Sequence, residues 1–331
     1  MGEYMRVFNN RIKEKYIKMR GNYEKLCMNL EQALKILLDE EKISYLSVSG
    51  RVKDVDSFYE KISRKNYNNP FEQVEDICGL RIICYYKSDI DKICKIINRE
   101  FEVLESQDKE ELLNNDQFGY RSHHFIIKIK KDWLSIPNYR GLNDLKVEIQ
   151  VRTNLMHTWA EIEHKLEYKK EEDIAKEFKR RFSFLSAKLE EADEQFEALK
   201  KDIIKYREDN IELLKIKSDE INNLELNVDN LQAFLDFNFP DRFRSVEATS
   251  EVLNELKLYG ISISKLGEFY DKTKNTLPLM EDDENKSNEE IFWTQSGIVR
   301  SILALSLNNY PKIEWDSDTV GNKYKEILNN K

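Results

Sequence analysis

Two hydrophobic periods meet in one stretch of this chain, from Lys146 to Lys169, which reads KVEIQVRTNLMHTWAEIEHKLEYK. Val147, Ile149 and Val151 alternate with Glu148, Gln150 and Arg152, the two-residue period of a strand with one apolar and one polar face. Leu155, Trp159, Ile162 and Leu166 then recur at three- and four-residue steps, the stripe of a helix. A row of carboxylate, amide and guanidinium is costly to bury without partners, so this strand face turns either to water or to a ligand. His157, Glu161, His164 and Tyr168 fall away from Trp159 and are read as the outer face of a supporting helix. They lack the His-Glu-x-x-His order of a zinc helix.

The same reading extends along the chain. Residues 4–40 keep helical spacing through Phe8, Ile12, Met19, Tyr23, Leu26 and Leu30, with Gly21 as a candidate break. Ile43–Ser49 is a short strand rich in β-branched and aromatic residues. Asp54 is placed to cap a helix carrying Val55, Phe58, Tyr59 and Ile62. Asp76–Tyr86 is nearly all apolar, as a strand covered on both faces should be, and Ile90–Ile97 is a short helix. Glu105–Gln117 reads as an acidic loop, and Gly119–Lys130 as a strand with Tyr120, Ser122 and His124 on one face. Residues 132–145, with Pro137 and Gly141, form an irregular connection.

From Ile174 a heptad seam runs through Phe178, Phe182, Leu185, Leu189, Ala192, Phe196, Leu199, Ile203 and Tyr206. Such a seam could join a second copy of the chain through the 174–206 helix. Asp229–Lys274 and Ile291–Leu328 are further helical segments around an acidic linker at Glu281–Glu290. The fold class is α+β, and the expected divisions are a helical segment (1–40), a mixed β-sheet flanked by helices (41–170), a long helix (171–228) and a helical extension of unknown role (229–331).

Composition narrows the function. A net charge of −9 argues against an extended nucleic-acid surface but leaves room for a local basic pocket. No apolar run reaches the ~20 residues of a membrane span, so no membrane partner is expected and a cytoplasmic location is. Cys27, Cys78, Cys84 and Cys94 lack metal-ligand spacing and read as small hydrophobes in a reducing compartment. Around the capped helix, Arg51, Lys53, Lys61, Arg64 and Lys65 bring five cations into fifteen residues. Asp76 and Glu148 lie on separate strands. Two carboxylates for Mg²⁺, cations for a polyphosphate and a ring for a base make the inventory for nucleotidyl or pyrophosphoryl transfer. No GxxxxGK loop is present, so this is not a P-loop mechanism.

DICGLR at 76–81, GYRSHH at 119–124, and VEIQVRT with WAEIEHKLEYK within 147–169 resemble the signatures of the RelA/SpoT-type alarmone synthetase domain. RVKDVDSFYEKISRK, beginning at Arg51, resembles its ATP-binding segment. The resemblance covers about residues 40–170 and implies a nucleotidyltransferase-like mixed sheet. It also implies GTP pyrophosphokinase activity, moving the β,γ-pyrophosphate of ATP to the 3′-hydroxyl of GDP or GTP to give ppGpp or pppGpp and AMP. By the same resemblance, Arg51 and Arg81 sandwich adenine and Lys53, Lys61 and Arg64 hold the ATP phosphates. Asp76 and Glu148 bind Mg²⁺, and Glu148 orients or deprotonates the attacking hydroxyl. Tyr120 stacks on the acceptor base, while Ser122, His124 and Gln150 line the acceptor pocket. His123 departs from the aliphatic residue common in the family, on the opposite strand face. None of the four histidines precedes an Asp and residues 1–40 are short for a hydrolase domain, so synthesis without hydrolysis is expected. A second reading is a toxin-like relative that pyrophosphorylates the 3′-adenosine of tRNA. A third is a non-catalytic interaction protein.

Overall fold

The computed structural model describes residues 2–65, 67, 69–108, 122–166, 176–215, 223–287, 293–310, 324 and 328. In chain order the first part comprises α1 (Gly2–Glu40), β1 (Tyr45–Val52), α2 (Val55–Lys65), α3 (Pro70–Gln73), β2 (Cys78–Cys84), α4 (Lys87–Glu100), β3 (Phe101–Asp108), β4 (His123–Ile129), two 3-10 turns, β5 (Val147–Thr153) and α5 (Asn154–Lys165). The long α6 (Lys176–Lys215) follows, then α7 (Val228–Asn238), α8 (Val246–Leu258), α9 (Ile263–Thr273), α10 (Leu277–Ser287) and α11 (Gln295–Ser306). The contacts divide the chain into two compact units, Met1–Ala198 and Leu199–Lys331.

The first unit is built on a five-stranded mixed sheet in the order β1-β2-β5-β4-β3. Only β2 and β5 run parallel; the other neighbours are antiparallel. Val147, Ile149 and Val151 are fully buried, so the alternation on β5 sets the sheet's two faces as expected. The apolar face is covered by Leu26, Leu30, Leu34 and Leu38 of α1 and by Ile93, Ile96 and Ile97 of α4. Burying each such side chain contributes about 1.5–3 kcal/mol. That outweighs the helix penalty of Gly21, about 1 kcal/mol, and α1 runs through Gly21 without the break expected there.

Two other expectations change. The stretch read as a loop from Glu105 begins inside β3, a charged strand at the sheet edge that, among the described residues, pairs with β4 alone. An edge strand tolerates Glu102 and Glu105 because one side of it meets water. The acidic linker from Glu281 is helical through Ser287 as part of α10; its last residues lie outside those described.

At the other edge, α1 covers β1. Glu31 Oε2 accepts from Gly50 N at 3.1 Å, satisfying an outward amide of the edge strand. A Cβ at Gly50 would stand 2.5 Å from Cys27 Sγ and 2.8 Å from Leu80 Cδ2, so α1 seats only against a glycine. Gly50→Val is expected to cost about 1–3 kcal/mol by overpacking, read as a lower thermal midpoint. An unchanged midpoint would show that α1 shifts off β1 without penalty.

The heptad seam of α6 is not the face it buries. Phe178, Leu185, Phe196, Leu199 and Tyr206 are exposed, whereas Ser186, Asp193 and Glu197 are buried. Only Phe182 and Leu189 of the seam reach the cluster of Met156 and Trp159. The packing face is polar because it serves backbone ends: Glu197 Oε2 accepts from Ser88 N at 3.1 Å, at the N-terminus of α4.

The second unit is helical, with Leu231, Phe234, Val252, Leu256, Leu266, Val299 and Ile302 in its core. Asn227, Ser245, Ser262 and Thr294 cap α7, α8, α9 and α11 through their side chains. Among the described residues, no helix is long and apolar enough to cross a membrane.

Candidate active site

The polar row of β5 occupies the middle of the sheet. Register sets Glu148 beside Gly79 and Gln150 beside Arg81 of β2, and Gln150 beside His124 of β4. Arg51 of β1 pairs with Gly79 from the far side, and a Cβ on Gly79 would meet nothing within 4 Å. The glycine therefore leaves open space between Arg51 and Glu148. A cavity of about 290 Å³ sits there, lined by Arg51, Asp76, Gly79, Arg81, Glu148, Gln150 and Glu161 among others.

Each carboxylate is held by its own partners. Asp76, just ahead of β2, has Lys53 Nζ at 3.1 Å from Oδ2 and Lys61 Nζ at 2.9 Å from Oδ1. Burial pushes its pKa up, but the two lysines more than offset this and leave it below the usual Asp range. Oδ1 is buried without a well-aligned hydrogen bond, despite its close ammonium. His124 Nδ1 lies 2.9 Å from Glu148 Oε1, and Gln150 Nε2 donates to Glu148 Oε2 at 3.1 Å. Burial raises the Glu148 pKa and Asp76 raises it further, yet the His124 contact prevails and the net shift is downward. Both groups are ionised at neutral pH. Ser122, buried, lies 2.7 Å from His124 Nε2, which steadies the imidazole.

The local folding explains the placement. Asp54 caps α2 through Ser57 N at 2.8 Å, so the turn after β1 delivers Lys53 and Lys61 to one side of Asp76. Thr153 ends β5 and caps α5, accepting from Met156 N at 3.1 Å, so no loop separates strand from helix. Two turns into α5, Glu161 meets Arg81 Nη1 at 3.0 Å. This corrects the outer-face assignment of Glu161: the α5 face opposite Trp159 partly overlooks the cavity. The expected stripe is also narrower, since Met156 and Trp159 are buried while Ile162 and Leu166 are exposed. Arg152, only 6% exposed, donates to Gln150 Oε1, and its Nε has no hydrogen-bond partner among the described residues. Burial, then repulsion from Arg81, lowers its pKa to about 10, still charged at pH 7.

The structure thus gathers Arg51, Lys53, Lys61, Asp76, Arg81, Ser122, His124, Glu148 and Gln150 on one face. Arg64 lies exposed in the last turn of α2, away from the cavity lining. Tyr120 and Tyr168 lie outside the described residues. Glu161 and Arg152 carried signals only in retrospect: a carboxylate two turns after the strand, and a third polar residue in its row. The site holds an excess of positive charge within a chain of net charge −9. Among the described residues, no three His, Cys, Asp or Glu side chains converge as a metal cluster. Two ionised carboxylates, one with a buried oxygen lacking an aligned hydrogen bond, do fit Mg²⁺, which takes few protein ligands and completes its shell with water and phosphate.

Residues 50–173 match the region found in RelA / SpoT proteins. The chain is 33% identical over 159 residues to GTP pyrophosphokinase YjbM of Bacillus subtilis, covering 47% of this chain and 72% of that protein. It is 30% identical over 158 residues to GTP pyrophosphokinase YwaC of the same organism, covering 46% and 73%. The small alarmone synthetase 1 from Bacillus subtilis bound to its product pppGpp aligns at 29% identity and a TM-score of 0.47, over 57% of this chain and 98% of that one. The matched region contains Arg51, Lys53, Lys61, Asp76, Arg81, Glu148, Gln150 and Glu161. With 33% identity over an aligned region that spans 72% of YjbM, and that region holding the cavity's charged groups, this chain belongs to the RelA/SpoT family.

Proposed function

We propose that the chain is a GTP pyrophosphokinase, moving the β,γ-pyrophosphate of ATP to the 3′-hydroxyl of GDP or GTP and releasing AMP. The observation that carries this reading is the pairing of two ionised carboxylates, Asp76 and Glu148, on a face lined with Arg51, Lys53, Lys61 and Arg81. The naming of YjbM and YwaC as GTP pyrophosphokinases supports it.

On this reading Arg51 and Arg81 flank the donor base across Gly79, and Lys53 and Lys61 neutralise its phosphates. Glu148 orients the acceptor's 3′-hydroxyl and takes its proton as the oxygen bonds to the β-phosphorus. The bond from that phosphorus to the α,β-bridging oxygen breaks, and AMP leaves with that oxygen. His124 and Gln150 hold the two oxygens of Glu148, so the base is aimed before the acceptor arrives. Asp76 and Glu148 would hold Mg²⁺, which would supply charge neutralisation for the transferring phosphates. Tyr120, Ser122, His124 and Gln150 serve the acceptor nucleotide, and Arg64 the outer phosphates.

The test is ATP labelled in its γ-phosphate with Mg²⁺ and, separately, GDP, GTP and bulk tRNA as acceptors. Label on GDP or GTP with equal AMP release is the expected result. Label on tRNA alone would overturn the acceptor assignment, and AMP release with none of them would overturn the reading as a whole.

Arg81 gives a second expectation. Its guanidinium is anchored by Glu161, so Glu161→Gln is expected to raise the KM for ATP about three- to tenfold while kcat changes little, as for a lost charge-assisted contact of about 1 kcal/mol. A fall in kcat with KM unchanged would place Glu161 at the reacting atoms instead.

A further inference from the structure

Lys53 and Lys61, the residues assigned to the donor's phosphates, are engaged with Asp76, the residue assigned to the metal. One ammonium sits on each carboxylate oxygen, at 3.1 and 2.9 Å. The three side chains are only 16%, 23% and 25% exposed, so water and salt screen the contacts weakly. The backbone around them is braced. Tyr16 of α1 donates its hydroxyl hydrogen to the Lys53 carbonyl and stacks on Phe58 of α2 at 4.1 Å, with an 8° angle between the rings. Lys53 N donates to Ile77 O at 2.9 Å, tying the same segment to the entry of β2. With the main chain held, only the lysine side chains are free to change partner. Glu148 is different: its oxygens are held by a His and a Gln, not by lysine.

We propose that Lys53 and Lys61 hold the cation place at Asp76 and hand it over only when metal and nucleoside triphosphate bind together. The proposal rests on reading the cavity as an ATP donor site. A divalent cation on Asp76 would face two ammonium groups bonded to the same two oxygens, a like-charge encounter that penalises metal alone. A polyphosphate arriving alone finds both lysines already neutralised. Together, each ligand removes the other's obstacle: the metal takes over Asp76, and the phosphates take over the lysines. Coupling of this kind is reciprocal, so each ligand tightens the other's binding by the same factor. Free Mg²⁺ and metal-free nucleotide would thus both be poor ligands, and the site would load in one concerted step.

Binding in the absence of acceptor tests this on the full chain, by titration calorimetry with ATP in EDTA or in Mg²⁺, and with Mn²⁺ alone followed by its paramagnetic resonance signal. Asp76→Asn frees the lysines and is expected to bind metal-free ATP roughly tenfold more tightly than the wild type, the order of two released charge-assisted contacts, while losing the gain from Mg²⁺. Glu161→Gln removes a carboxylate from the same cavity without freeing a lysine and, given its expected higher KM for ATP, is expected to bind metal-free ATP no more tightly than the wild type. Lys61→Gln is expected to bind Mn²⁺ alone more tightly, with Arg51→Gln as its control. Metal-free ATP affinity in Asp76→Asn no better than in the wild type, or a gain that Glu161→Gln matches, overturns the proposal. If Asp76→Asn fails to fold by circular dichroism, Lys61→Gln decides alone: Mn²⁺ affinity no better than in Arg51→Gln overturns it. Failure of the wild type to bind ATP even with Mg²⁺ would instead remove the donor-site reading beneath it.

Discussion

Glu148→Gln is expected to reduce kcat by roughly 10²–10⁴-fold, the span typical of a lost general base, without unfolding the protein. The substitution keeps the size of the side chain and its place in the half-buried polar row of β5. An amide can still accept from Gln150 Nε2 and can donate to His124 Nδ1 in the other tautomer, so both present neighbours stay satisfied. What is lost is the negative charge that the His124 contact keeps in place at neutral pH. The KM for ATP should move less than kcat, because the donor's cations lie on Asp76 and across Gly79. Steady-state rates of AMP release, with the thermal midpoint measured alongside, check this. Activity within tenfold of the wild type would remove Glu148 from the chemistry. Asp76→Ala is expected to be inactive for a different reason, the loss of the group on which both lysines converge.

The second large effect is on stability. Thr153 is fully buried where β5 becomes α5. Its hydroxyl accepts from Met156 N at 3.1 Å and donates to Asp193 Oδ2 of α6 at 2.5 Å. Thr153→Val keeps the shape but removes both bonds. Losing the cap costs about 1 kcal/mol, and withdrawing a donor from a buried carboxylate costs about 1–3 kcal/mol more. Thr153→Ser keeps both bonds and should recover most of the loss. Hydrogen exchange of the β5 amides reads this locally, within the first unit. Equal protection in Thr153→Val and the wild type would show that the strand-to-helix junction is held by packing only.

The sequence disclosed most where a short period forces geometry. Alternation alone puts Glu148 and Gln150 on one face of a strand, and the same rule pairs Gly79 with Arg81 on β2, so the heart of the site was legible before any fold was known. Helix faces are harder. Periodicity shows that Glu161 lies away from Trp159, but not that α5 docks with this side over Arg81. The charged β3 was hidden because a strand at a sheet edge need not alternate cleanly. On α6 the apolar heptad gives no sign that Asp193 and Glu197 are buried, since their partners, Thr153 and the start of α4, lie far away in sequence.

That last arrangement bears on how such a chain can be rearranged over time. Asp193 and Glu197 belong to the first unit, and the contact boundary follows at Ala198, within an uninterrupted helix. A recombination event that trades the C-terminal region therefore leaves the catalytic half whole only if the crossover falls beyond Glu197 and keeps the helical register.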